Sequence, residues 1–366
     1  MSKAPLKIGL VGLGGIGNVH AESYQKDDLA ELVAVCDVRP ERVESFSEKF
    51  GAKGYPSVQE MLRNEELDIV DITTSGYDNG SWHYEPTMEA LEAGHHVLCE
   101  KPLSNNIEEC REMVRYAARK KLYLGCNLNH YFTQTSALAN QLIADDKIGE
   151  TVYALFKMGF DGGEFTYGGK GSARFNQAYA HMKAFLTHPF SVMRHFCGDI
   201  THIQSFSTKP GFRKNKGDLL LSVNSVHVKF ADDTVGYLLS QRGDAVWGLG
   251  GWWSFELAGS KGTFCIENCV EKLTYWGAPT SSGKPDPIVT NTGVTSFDQT
   301  FPDRIHAFLE DVSNKVPLEH VRASGRDALA TMEYIFAVIE SYENGGALVR
   351  PHPLPPLHGD PLSERI

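Results

Sequence analysis

The sequence predicts an α/β protein: an N-terminal doubly wound parallel sheet followed by a C-terminal α+β domain with a large, mostly antiparallel sheet. Three observations predict it. Apolar strand-like runs alternate with helix-length segments up to about Asn127, which argues for a parallel sheet with helices on its faces. Beyond that point strand-like runs follow one another directly, the pattern of an antiparallel sheet. Gly12-Leu13-Gly14-Gly15-Ile16-Gly17 sits immediately after the first apolar run. The expected division is residues 1–127 and 128–366.

The elements follow in order. Lys7–Val11 reads as a buried strand and Asn18–Gln25 as the helix after it. Leu32–Cys36, Asp68–Thr73, His96–Cys99 and Leu122–Cys126 read as further strands, with helices near Glu41–Phe50, Glu85–Ala93 and Ile107–Lys120. The second domain opens with a helix near Ser136–Ala144. Strands are then expected at Thr151–Met158, Leu219–Phe230, Thr234–Ser240, Trp253–Ala258 and Thr263–Ile266. A closing helix at Gly325–Tyr342 leads into a proline-rich arm, Pro351–Pro361. A large sheet needs cover on both faces, and a homo-oligomer, dimer or tetramer, would supply one.

Composition narrows the partners. A chain of 366 residues with 42% hydrophobic and 22% charged residues has ample material for two globular cores. A net charge of -11, with no cluster of Lys and Arg to reverse it locally, argues against nucleic acid and against an anionic membrane surface. No run has the length of a membrane span and the first residues lack a secretion-signal core, so a cytoplasmic protein is expected. Seven cysteines without C-x-x-C spacing suggest neither a disulfide framework nor zinc. His181, His188 and His195 are spaced by seven residues, which on a helix is about 10 Å per step, too far to share one ion. No metal is expected.

The glycine run carries the first chemistry. Between a strand and a helix, Gly12 permits a tight turn, Gly14 lets the backbone approach a pyrophosphate, and Gly17 lets helix and strand pack closely. The unpaired amides at the helix start, around Gly15 and Ile16, favour an anion. Asp37 ends the second strand about 20 residues after Gly17, where a carboxylate accepts hydrogen bonds from an adenosine ribose. This favours NAD over NADP, although Arg39 stands near enough to accept a phosphate. The other residues expected along the same edge are Thr73, Thr74, Glu100, Lys101 and Asn127.

With Ala90-Leu91-Glu92-Ala93-Gly94-His95-His96-Val97-Leu98-Cys99-Glu100-Lys101-Pro102 and a later His188-Pro189-Phe190-Ser191 added, the chain resembles the Gfo/Idh/MocA oxidoreductases. That family is named for glucose-fructose oxidoreductase, inositol dehydrogenase and the rhizopine-catabolism protein. The resemblance implies hydride transfer between a nicotinamide and a sugar, polyol or glycoside, with Lys101 touching cofactor and reacting hydroxyl and His188 as the catalytic histidine. The physical chemistry agrees: alcohol oxidation needs a base for the hydroxyl proton and a cation beside the developing alkoxide. Pro102 restricts Lys101 to extended backbone. On local sequence alone His188 reads equally as a helix-start histidine with Pro189 as the first helical residue.

Two departures stand out. Many relatives carry an aspartate four residues before this histidine, where this chain has Ala184, so Tyr179, His181 and Lys183 are the candidates for a proton relay or substrate contact. The segment Thr74–His83 is longer than the family's usual link to the matching histidine, His83, and reads as a loop over the nicotinamide. Phe165, Tyr167, Phe175, Trp247, Trp252 and Trp253 offer aromatic platforms for a sugar, with Gly159–Gly171 as the preferred substrate loop. Trp252 and Trp253, adjacent on an expected strand, should point to opposite faces. Two other functions share the motifs: a glycosidase that oxidises its sugar transiently on retained NAD, and a non-catalytic dinucleotide or sugar sensor.

Overall fold

The structure, a computed structural model, describes residues 4–75, 82–159, 177–211, 213, 217–245 and 251–356. The chain forms two compact units. The first gathers the residues up to Leu128 with Phe301–Met332 and the start of the C-terminal arm; the second holds Asn129–Thr300 and Glu333–His352.

In the first unit, strands β1 (Leu6–Val11), β2 (Ala30–Cys36), β3 (Lys53–Tyr55), β4 (Ile69–Ile72), β5 (His96–Cys99) and β6 (Leu124–Cys126) form one sheet in the order β3-β2-β1-β4-β5-β6. Every pairing is parallel. The order reverses between β1 and β4, the switch point at which such sheets place ligands at their strand ends. Helices α1 (Gly15–Tyr24), α2 (Pro40–Phe50), α3 (Val58–Asn64), α4 (Tyr84–Glu92) and α5 (Ile107–Lys120) are the crossovers. Near-continuous burial of β4 and β5 is what a sheet covered on both faces requires.

The second unit begins with α6 (Gln134–Ala144), and helices α7 (Ala180–Phe185) and α8 (Thr187–Cys197) lie before most of its strands. Its sheet comprises β7 (Thr151–Gly159), β8 (Ile200–Thr208), β9 (Val223–Phe230), β10 (Val235–Gln241), β11 (Trp253–Gly259), β12 (Gly262–Glu267), β13 (Lys272–Gly277) and β14 (Ile288–Asn291). The order is β14-β13-β12-β11-β7-β10-β9-β8. All neighbours are antiparallel except β7 and β10. One face is apolar and buried, through Phe156, Met158, Leu238, Phe255 and Phe264, and Phe196 of α8 stacks on Phe255 at 5.2 Å. On the other face Val152, Leu155 and Val235 are exposed.

The fold class is therefore the expected one, with differences in detail. Two further helices, α9 (Thr300–Asn314) and α10 (Gly325–Glu343), complete the chain. Sequence alternation placed everything after residue 127 in the second domain, yet Ile305, Phe308, Leu309 and Val312 of α9 pack with Ile8, Tyr24, Ile69 and Leu98. Buried Arg304 donates to the carbonyls of Cys126 and Ala323 at 2.9 and 3.1 Å. The short β3 and α3, the edge strands β8 and β14, and β13 beside β14 do not announce themselves in the apolar pattern. Pro189 is the third residue of α8, not the first, and is tolerated there because first-turn amides have no intrahelical partner. The arm is tied at its start, where Arg326 Nε donates to the Pro355 carbonyl at 3.2 Å. No disulfide links the seven cysteines.

Candidate active site

The glycine loop is built from opposed constraints. Gly12 has φ +96°, and a Cβ on it would lie 2.5 Å from the Thr74 nitrogen. A Cβ on Gly17 would lie 2.2 Å from the Gly12 carbonyl oxygen, so α1 sits directly on the turn. Thr73 locks the same carbonyl with its hydroxyl at 2.7 Å. Gly14 and Gly15 instead face open space: the nearest atom to a Cβ on Gly14 is Arg42 Nη1 at 3.9 Å, and Gly15 has nothing within 4 Å. No side chain caps α1, Ile16 in its first turn is exposed, and the first turn holds no acidic residue. An open glycine face at an uncapped helix start is what a dinucleotide pyrophosphate fits.

Asp37, buried at the end of β2, is fixed by two backbone donors. The amides of Leu13 and Arg39 reach its carboxylate at 2.8 and 3.0 Å. The guanidinium beside it belongs to Arg42, 3.5 Å from Oδ2. Arg39 is the exposed N-cap of α2 and contributes its amide. Sequence reasoning missed Arg42, although its place one turn into α2 puts it on the loop side of the helix.

Beneath the ends of β4 and β5 lies a buried polar network the sequence did not announce. His20 of α1, fully buried, faces Asp71 Oδ2 through Nδ1 at 2.7 Å and Glu100 Oε1 through Nε2 at 3.2 Å. Burial alone pulls a histidine down, but the charges and hydrogen bonds of Asp71 and Glu100 outweigh it and raise His20 to about 10. Burial likewise pushes Glu100 up, and His20, Lys101 and the Asn127 amide together reverse this, holding it at about 2. Both ring nitrogens of His20 therefore donate, each to a carboxylate. Tyr24 donates to Asp71 at 2.7 Å and Asn127 Nδ2 to Glu100 at 2.5 Å.

Glu100 in turn accepts from the Lys101 amide at 3.0 Å, and the Lys101–Pro102 peptide is cis. His83, buried, has the Pro102 carbonyl at 2.6 Å from Nδ1 and the Thr74 carbonyl at 2.7 Å from Nε2. Burial lowers it below the ordinary histidine value although both carbonyls favour the charged ring. Its nitrogens are thus engaged with backbone and clip the end of β4 to the turn after β5. Thr74 donates to the Trp82 carbonyl at 2.5 Å.

The second unit contains the histidine singled out by sequence. His188, on the first turn of α8, stacks on His130 with ring centroids 3.6 Å apart and planes at 15°. His130 lies in a 3-10 turn, Asn129–Tyr131, and its Nδ1 accepts a hydrogen bond from Trp253 Nε1 at 3.0 Å. Phe297 meets the same ring edge-on at 4.9 Å and Trp252 at 6.4 Å. Both tryptophans thus approach one histidine, contrary to the expected opposition. The reason is that β11 begins at Trp253, and Trp252 belongs to the turn before it, its amide donating to Asn268 Oδ1 at 3.1 Å.

The expected relay residues each have a described partner of their own. Tyr179 donates to Glu343 at 2.6 Å, and burial with that carboxylate pushes it up to about 12. His181 is buried against Ser240 Oγ at 2.8 Å, and burial plus the charges of Arg242 and Arg213 hold it well below the ordinary histidine value. Lys183 Nζ lies over the Phe336 ring at 4.9 Å. His195 stacks on Tyr131 at 4.5 Å. Among the described residues no three metal-ligating groups gather. Phe165, Tyr167, Phe175, Trp247, most of the Gly159–Gly171 loop and residues 76–81 of the Thr74–His83 segment lie outside the described residues.

A six-stranded parallel sheet in this order, with a glycine turn at its switch point and a carboxylate ending the second strand, defines a dinucleotide-binding Rossmann domain. Residues 6–128 match the family model described as an oxidoreductase family with an NAD-binding Rossmann fold. Residues 6–128 are thus the NAD-binding Rossmann fold of that family, Gfo/Idh/MocA. It is similar to D-glucoside 3-dehydrogenase of Escherichia coli K12, 34% identical over 173 residues, or 45% of this chain and 48% of that protein. It is also similar to myo-inositol 2-dehydrogenase of Thermotoga maritima, 31% identical over 146 residues, or 40% of this chain and 42% of that protein. The chain thus aligns with about half the length of these curated relatives or less. In fold it matches levoglucosan dehydrogenase solved with NADH, with TM-score 0.81 and 18% identity over 95% of this chain and 99% of that one.

Proposed function

We propose that this protein is an NAD-dependent dehydrogenase acting on a secondary hydroxyl of a sugar, polyol or glycoside. The observation that carries this reading is the convergence, at one edge of the parallel sheet, of an open glycine loop, a backbone-anchored Asp37 and Lys101 fixed through Glu100. The names of the two curated relatives, a glucoside and an inositol dehydrogenase, support the substrate class.

Bound NAD supplies the two-electron acceptor for the hydrogen leaving carbon. Gly12, Gly14, Gly15, Ile16 and Gly17 leave room for its pyrophosphate and present amides to it, and Asp37 holds the ribose, with Arg39 and Arg42 beside it. Thr73, Thr74, His83, Glu100 and Asn127 shape the edge, mostly through contacts to backbone and to one another. Lys101 lowers the energy of the alkoxide as the proton departs. His188 takes that proton, and the oxygen's electron pair becomes the second bond of the carbonyl. The exposed apolar face of the second sheet supports a homo-oligomer.

The test is to incubate purified protein with NAD and a panel of sugars, polyols and glycosides, following reduced nicotinamide and sugar products together. A keto product with matching NADH is expected. Released aglycone without NADH would instead establish the glycosidase, and silence in both channels would favour a substrate outside the panel or the sensor. Lys101→Ala should lose about 10²–10³-fold in kcat with an unchanged melting temperature. Asp37→Ser should move the NAD/NADP ratio of kcat/KM toward NADP by about tenfold, since it removes the charge that repels a 2′-phosphate.

A further inference from the structure

We infer that His130 is a positioning residue for His188, orienting the imidazole by ring stacking. The inference rests on the reading of His188 as the base.

Ala184, four residues before His188, presents only a methyl group and offers the imidazole no side-chain hydrogen bond. The described group packed face to face on His188 is the His130 ring, at 3.6 Å and 15°. His130 itself is held on several sides. Trp253, fully buried, donates its indole N–H to Nδ1 at 3.0 Å; an indole nitrogen can only donate, so Nδ1 is unprotonated and the ring proton lies on Nε2. Phe297 packs edge-on against the ring, and Cys269 Sγ donates to the His130 carbonyl at 3.6 Å. Asn129, the preceding residue, is tied to Thr300 Oγ1 at 2.6 Å.

Two consequences follow from that tautomer. Protonating His130 at Nδ1 would set one N–H against another, so the ring facing His188 stays neutral while Trp253 is in place. A flat, neutral, immobile ring then restricts His188 to rotations within its own plane. It does so without the fixed negative charge that a carboxylate would impose on the base.

The test uses the intact protein and has two independent arms. In protein with 15N-labelled histidine, long-range proton–nitrogen spectra should show His130 protonated on Nε2 alone from pH 6 to 8. His130→Ala should broaden or shift the His188 ring signals and His130→Phe should restore them. In turnover, His130→Ala should lower kcat about tenfold or more with KM within about threefold, and His130→Phe should return kcat to within about threefold of the parent. A proton on Nδ1 of His130, His188 signals indifferent to His130→Ala, or a folded His130→Phe as slow as His130→Ala overturns the inference. The spectra need no substrate, so they decide it even where the proposed dehydrogenase activity is absent.

Discussion

His20 is a charged side chain with no exposed surface, and its two carboxylate partners make that tenable. Removing it leaves Asp71 and Glu100 buried without their cation, a change that costs about 3–5 kcal/mol. Denaturant unfolding of His20→Ala should show a loss of that size. The pH dependence has a definite sign. His20 is raised from 6.5 to about 10, so its stabilisation is complete below about pH 6.5 and is lost as pH rises through about 10. Glu100 is lowered from 4.5 to about 2, so its contribution is complete above about pH 4.5 and is lost as pH falls through about 2. Both are complete between those two bounds, and His20→Ala should abolish the alkaline loss. The sequence showed Gly12–Gly17, Asp37, Lys101 and His188 because each belongs to a local motif with fixed spacing. It hid His20, whose partner Asp71 is 51 residues away, and His130, whose partner Trp253 is 123 residues away. The one local hint was a histidine and a tyrosine on the buried stripe Gly17, His20, Ala21, Tyr24 of α1.

At the scale of elements, the β1–turn–α1 unit separates glycines needed by the fold from glycines needed by the ligand. Gly12 and Gly17 meet backbone where a Cβ would stand, whereas Gly15 meets nothing within 4 Å. Gly17→Ala should therefore lower the melting temperature and weaken NAD binding together. Gly15→Ala should leave melting unchanged, so that any effect appears in NAD affinity alone; differential scanning fluorimetry with and without NAD separates the two. Alternating strands and helices were legible because their hydrophobic periods differ and each is long. The parallel β7–β10 pair was not legible, since period-2 alternation marks a half-buried strand without giving its neighbour's direction.

At the scale of the whole molecule, the chain's return is the feature a linear reading loses. Helix α9 is amphipathic, and its apolar stripe can be read, but nothing in the stripe names the core it joins. No helix among the described residues is long and apolar enough to cross a membrane. The sheet face bearing Val152, Leu155 and Val235 leaves three apolar side chains between 41% and 55% exposed, more than scattered surface residues explain. Leu155→Lys with Val235→Lys should reduce the mass measured by light scattering from an oligomer to the 40.5 kDa chain, without loss of the far-ultraviolet circular dichroism of the fold. In the proposed reaction hydrogen passes directly from a carbohydrate carbon to nicotinamide. Its most direct test is mass spectrometry of the nucleotide after incubation with NAD and carbon-deuterated sugars, polyols and glycosides. Direct transfer puts one deuterium in the reduced nucleotide for each keto product; reduced nucleotide without deuterium, or sugar turnover with no reduced nucleotide, rules it out.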